Sequence, residues 1–335
     1  MFKPQHATLQ GRLRNSRAAL IRTIVSPLLL LCVALGFTQP ARAGLIFNVS
    51  FDSSTSSAPA GFFTAFNSAV QFLQAQYSDP ITINLNVGWG EINSHGLNPG
   101  NLGQSSTNQQ GFYSYSQVKT ALTNDSKSAA DATAISHLLP TYPVPGNVFV
   151  MSNAEAKALG LLAGNSSGND GAVGFNSTAS YTFDPNNRAV AGEYDFVGLA
   201  EHELTEVMGR YGLGQNGAPT GRFSPIDLFR YTSPGILDTT PENGDYFSID
   251  GGNTSINTYN GTGGGDLSDW SGATLDSFNH ALTLGKELDV TAGDITLMDV
   301  IGYDPATATP EPATFALFGF GIAASIYLRR KRRTS

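Results

Sequence analysis

The chain has 335 residues, only 14% of them charged, and a formal net charge of -8. Basic clusters occur only at the two ends, which argues against nucleic acid as a partner. The single cysteine, Cys32, sits in the N-terminal apolar run, so the mature chain is expected to lack disulfides, a thiol nucleophile and thiolate metal ligands. Any metal must then be held by nitrogen and oxygen.

Lys3, Arg12, Arg14, Arg17 and Arg22 precede an apolar run from Ile24 to Phe37 and the small-residue site Ala41-Arg42-Ala43. This is the layout of a secretory signal peptide over residues 1–43. As a retained anchor the run is marginal for a hydrocarbon core of roughly 30 Å. Phe62, Phe66, Ala69, Val70, Leu73 and Tyr77 then recur at helical spacing, and Pro80 follows as a stop. In "ITINLNVGW" Ile81, Ile83, Leu85, Val87 and Trp89 alternate with Thr82, Asn84, Asn86 and Gly88, which predicts a strand.

A polar loop is expected from Asn93 to Gln110, followed by helices in "YSYSQVKTALTND" and "SAADATAISHLLP", the second capped by Ser or Asp and stopped before Pro140. "GNVFVM" reads as a strand and "NAEAKALGLL" as a helix. "GAVGFN" and "SYTFDP" read as two short strands, the first expected to be a sheet edge. A turn from Asn186 to Gly192 leads into a helix over residues 193–209. Helices mixed with short strands, without regular alternation, predict an α+β domain.

The helix at 193–209 carries "GLAEHELTEVMGR". Phe196, Val197, Leu199, Ala200, Leu204, Val207 and Met208 surround most of its circumference, so it should be buried, and its polar residues need partners. At roughly 100° per residue, His202 and Glu206 lie about 40° apart around the axis and one turn apart along it. One cation can meet both. Glu203 points to the side, where a carboxylate can take a proton from water. The competing reading pairs Glu206 with Arg210 as an i, i+4 salt bridge and makes His202 a hydrogen-bonded core residue. Gly209 ends the helix.

Beyond Tyr231 the chain is rich in Gly, Asn, Ser, Thr and Asp. Asp250, Asp266 and Asp269 are calcium candidates, although their spacing matches no EF-hand loop and solvated turns account for them more simply. "TAGDITLMDVIGYD" predicts a closing helix capped by Thr291 and stopped by Gly302. Pro310-Glu311-Pro312, an apolar segment over 313–328 and Arg329-Arg330-Lys331-Arg332-Arg333 complete the chain. The basic run would lie on the cytoplasmic side of a transmembrane segment. This tail, residues 305–335, resembles the PEP-CTERM sorting signal of Gram-negative bacteria. The resemblance implies transient tethering in the inner membrane, cutting by an exosortase-type enzyme, and release to the cell surface or the medium; the competing reading is a plain C-terminal anchor.

The blocks "FDPNNRAVAGEYDFVGLAEHELTEVMGR", "SPIDLFRYTSPG", "YFSIDGG", "GDLSDW" and "DITLMDVIGYD" resemble a family of PEP-CTERM-sorted metalloproteases related to the zincins. The resemblance implies a zincin-like, metzincin-related catalytic domain. Its N-terminal subdomain would span 44–212 with the active-site helix, and a Gly/Asn-rich C-terminal subdomain would span 213–304. It also implies His202 and Glu206 as ligands of Zn2+ or another divalent cation, Glu203 as catalytic base, and a protein or peptide as substrate. Compared with H-E-x-x-H-x-x-G-x-x-H, Glu206 replaces the second histidine, Gly209 is kept, and Gly212 replaces the third histidine. The third ligand must therefore come from elsewhere. Asp227 in "SPIDLFRY" is the first candidate and His280 the second, followed by His95 and His137; the competing role for Asp227 is to cap a helix through Leu228 to Tyr231. A non-catalytic protein of the cell surface or exopolysaccharide matrix is the alternative function.

Overall fold

In the computed structural model, which describes residues 44–212, 221–240, 244–261, 265–272 and 275–306, the predicted first helix is α1 (Ala60–Gln76). Its apolar stripe, Phe62, Phe66, Ala69, Val70 and Leu73, is buried. The stripe packs toward a four-stranded sheet ordered β1 (Ile46–Phe51), β2 (Thr82–Trp89), β6 (Gly171–Phe175) and β3 (Gly103–Thr107). The first three strands are parallel, and β3 runs antiparallel to β6 along the edge. Two expectations are corrected here. The stretch from Asn93 to Gln110 is not all loop, and "GAVGFN" is an interior strand, not the edge.

Between β3 and β6 the chain forms β4 (Gln109–Tyr113), α2 (Tyr115–Asp125), α3 (Ala129–His137), β5 (Val148–Ser152) and α4 (Asn153–Ala158). Ser114 and Ser128 start the two middle helices through capping boxes, satisfying N–H groups that have no partner within the helix. β5 pairs antiparallel with β4 and parallel with the short strand Arg222–Phe223, making a second, three-stranded sheet.

The motif helix, α5 (Phe196–Met208), begins three residues later than expected because Asp195 is its N-cap and accepts the Val197 N–H at 3.1 Å. Gly209, with φ 127°, ends it in a conformation that favours glycine. α5 packs against α1 and along β3 and β6. Phe62, Trp89, Phe175 and Phe196 meet edge to face where these layers join, with Phe62 5.2 Å from Phe196 and 5.1 Å from Trp89. At Gly171 in β6 a β-carbon would lie 2.7 Å from Cγ1 of Val207, so glycine sets how closely the helix approaches the sheet.

The later residues form a small antiparallel sheet of Ile236–Leu237, Arg230–Ser233, Tyr246–Phe247 and Asn257–Thr258, then a long irregular stretch, then α6 (Ala292–Val300). Thr291 caps α6 and Gly302 follows it at φ 121°. The described residues from Gly44 onward cluster as one compact unit. Bonds cross the sequence boundary near residue 212: the Tyr303 hydroxyl donates to the Met208 carbonyl at 2.6 Å, and Ser78 N–H donates to the Asp304 carbonyl at 2.8 Å. The molecule is thus a mixed α+β fold with several sheets. The signal-peptide reading of 1–43 and the apolar segment 313–328 lie outside the described residues, among which no helix is long and apolar enough to cross a membrane.

Candidate metal centre

All thirteen residues of α5 are buried, which forces each polar side chain to find a partner inside the protein. Asp195 is held by Arg188 at 2.7 Å, and the same guanidinium stands 3.8 Å from Glu201. Burial prevails over that attraction, and Glu201 is pushed up to about 8. These two acids belong to the support of the helix. The remaining three, His202, Glu203 and Glu206, open onto a cavity of about 820 Å³ together with Ser105, Asp266, Asp269 and His280.

Nδ1 of His202 lies 2.7 Å from the Ser277 carbonyl oxygen, which can only accept, so Nδ1 carries the proton. Nε2 is thereby turned toward two carboxylates, 3.5 Å from Oε1 of Glu206 and 3.7 Å from Oδ1 of Asp269. One ligand atom from each of His202, Glu206 and Asp269 lies within 4.8 Å of the others, and all three residues are buried. Oε2 of Glu206 accepts the Ser105 hydroxyl at 2.6 Å, whereas its buried Oε1 makes no hydrogen bond of ordinary length and stands 3.5 Å from Nε2 of His202 and 3.6 Å from Arg210. Burial would push Glu206 up, but the nearby imidazole of His202 and the charge of Arg210 hold it well below the usual carboxylate range.

A cation already stands beside the cluster. Arg210 is fully buried; it pairs with Asp269, approaches Glu206 to 3.6 Å, and donates to the His202 carbonyl at 3.1 Å. Its guanidinium lies 4.5 Å from the centre of the Phe278 ring. One positive charge against Glu206 and Asp269 leaves the pair short of neutral. In the metal-free protein His202 makes up the difference. Burial alone would push the imidazole down, yet the Asp269 carboxylate prevails and raises it to about 9.

Glu203 is buried beside these groups, and burial together with the Glu206 charge raises its pKa well above the ordinary value. Asp266 lines the same cavity, and loss of solvation together with the Glu206 charge pushes it up to about 8. His202 and Glu206 therefore meet as the i, i+4 spacing predicts. Asp227, expected as third ligand, stands outside the cluster of His202, Glu206 and Asp269. Its Oδ2 accepts the Ser224 N–H at 2.8 Å in a capping box at the start of the short helix Pro225–Phe229, and the ligand cluster does not include it. His95 lies in an exposed hairpin and His137 at the exposed end of α3, while His280 lines the cavity.

The third member of the cluster, its second carboxylate, is Asp269 in "GDLSDW", which the sequence offers only as a calcium candidate or a turn residue. Ser105 and Ser277 carry no sequence signal, since one is a hydroxyl on a polar strand and the other acts through its backbone.

The PEP-CTERM protein-sorting motif matches residues 308–333. This motif implies recognition by an exosortase-type processing enzyme and sorting to the cell surface or outside the cell. No curated protein matches the chain, and no solved structure matches it.

Proposed function

We propose that the protein is an exported, metal-dependent peptidase of zincin-like design, with His202, Glu206 and Asp269 as metal ligands and Glu203 as general base. The observation that carries this reading is the convergence of one ligand atom each from the buried His202, Glu206 and Asp269 within 4.8 Å of one another. Two buried carboxylates held side by side are costly unless cations compensate them. One imidazole and two carboxylates are a nitrogen and oxygen donor set that zinc accepts, and the carboxylates leave room for another divalent ion.

When bound, such a cation supplies a Lewis acid that acidifies water and polarises a scissile carbonyl. The chain's own residues do the rest. The Ser277 carbonyl fixes the tautomer and orientation of His202, Ser105 fixes Glu206, and Arg210 balances one of the two carboxylate charges. The Glu203 carboxylate, facing the same cavity, takes the proton from the attacking water and returns it to the leaving amine. β3 lines the same cavity as the edge strand of the first sheet, and its backbone suits pairing with an extended peptide.

Replacing Glu203 by Gln tests the assignment. Casein hydrolysis should be lost while metal content is unchanged. A variant that digests casein at the wild-type rate removes Glu203 from the mechanism.

A second reading is favoured by the Arg210 pairs: a guanidinium that already contacts Asp269 and Glu206, together with a protonated His202, can neutralise the cluster without a metal, leaving a non-catalytic surface or matrix protein. Metal content separates the two readings.

A further inference from the structure

Two groups outside α5 complete the centre, the Asp269 carboxylate and the Ser277 carbonyl that orients His202. Both lie in irregular chain, so no helix or long ladder fixes them. They are joined to each other, because Trp270 N–H donates to the Phe278 carbonyl at 2.9 Å and His280 N–H donates to the Trp270 carbonyl at 3.1 Å.

One buried side chain reaches both segments. Asp294, in the first turn of α6, is fully buried, and its Oδ1 accepts the indole N–H of Trp270 at 2.6 Å. Its neighbour Asp276, close enough for the two carboxyls to act on each other, accepts the Phe278 N–H through Oδ1 at 2.7 Å. The other oxygen of Asp294 accepts the Thr291 N–H at 2.7 Å, which ties the carboxyl to the helix cap. Capping alone uses that second oxygen. The first is directed away from its own helix, toward the residue next to a ligand.

We propose that Asp294 is a positioning residue of the metal centre: through Trp270 and Asp276 it sets where Asp269 and the Ser277 carbonyl stand relative to His202. The proposal rests on the metal-ligand reading above. The helix that carries Asp294 is itself anchored near the end of α5, through the Tyr303 hydroxyl and the Met208 carbonyl. The segment that carries Asp294, tied to the end of the motif helix by that bond, thus holds the parts of the site that the motif helix does not supply. Partners of this kind typically contribute tenfold to a hundredfold in metal affinity.

The test uses metal alone, with no substrate. Zinc affinity and the absorption spectrum of bound Co2+ are measured for the wild type, W270F, D294L and T291A. W270F removes the indole donor and keeps an aromatic ring among Phe247, Tyr259 and Phe278. The expected result is a zinc Kd weakened about tenfold or more in W270F, and further in D294L, with an altered Co2+ spectrum. T291A, which removes only the hydroxyl half of the cap, should lower the Tm and leave the Kd in place. Should D294L fail to fold, W270F carries the test. Wild-type affinity and spectrum in W270F, whatever its Tm, would overturn the positioning role and leave the ligand assignment standing. Absence of zinc binding by the wild type would overturn both.

Discussion

Gly103, the first residue of the edge strand β3, abuts Glu203 so closely that a β-carbon there would lie 2.8 Å from the Glu203 carboxyl carbon. The absence of a side chain on the strand is what gives the carboxylate its place beside His202. G103A should therefore move Glu203 and leave the three ligands where they are. Hydrolysis should fall by about tenfold to a hundredfold, while zinc affinity changes little. Parallel assays of casein cleavage and zinc binding check this; equal loss of both would show that Gly103 supports the whole centre and not Glu203 in particular.

Arg210 is buried against Glu206 and Asp269, so replacing it leaves two carboxylates with less compensation. R210M should destabilise the metal-free protein by about 3–5 kcal/mol. Added zinc should recover more stability in R210M than in the wild type, because the cation then opposes a larger uncompensated charge. Thermal melts with and without zinc measure this, and equal zinc shifts in the two proteins would contradict it.

His202 is protonated at neutral pH in the metal-free protein, its pKa raised to about 9 against burial by the Asp269 carboxylate. A cation takes the unprotonated Nε2, so binding at pH 7 should release at least one proton, and affinity should rise with pH toward 9. Calorimetry in buffers of differing ionisation enthalpy counts the proton. Binding without proton release would place the cation elsewhere.

A separate acidic group shapes stability. Burial pushes Asp79 and Asp299 up to about 7 and Asp125 up to about 6, all from 3.8. The folded state then binds protons that the unfolded chain has released. The stability these groups confer is complete below their unfolded pKa of 3.8 and is lost as pH rises through 6 to 7. D79N and D299N should flatten this part of the Tm profile between pH 4 and 8. A slope unchanged in both variants would assign it to other groups.

The sequence made the helices legible wherever apolar spacing and a cap agreed, as for Phe62 through Leu73 in α1, Ser128 before α3 and Thr291 before α6. His202 and Glu206 were legible for the same reason, since helical geometry alone brings residues four apart onto one side. Strand β3 was not. "GQSST" contains no apolar alternation, because one of its faces lines a polar cavity and its antiparallel partner is 64 or more residues away in sequence, at Gly171 to Phe175. Asp269 was hidden by the same physics: nothing local distinguishes it from neighbouring turn aspartates, and only the pairing of its segment with residues 278–280 brings it to His202. Asp227 misled because a carboxylate shortly after a glycine turn serves a helix cap as well as a metal, and here the cap claims it.

The most direct test of the account is zinc titration of the chelator-stripped protein, comparing wild type with E206Q. The geometry predicts about one tightly bound zinc per chain in the wild type and loss of that site in E206Q, whose amide nearly keeps the shape of the carboxylate and removes its charge. No zinc uptake by the wild type, or uptake that E206Q leaves untouched, would contradict the assignment of His202, Glu206 and Asp269 as a metal centre.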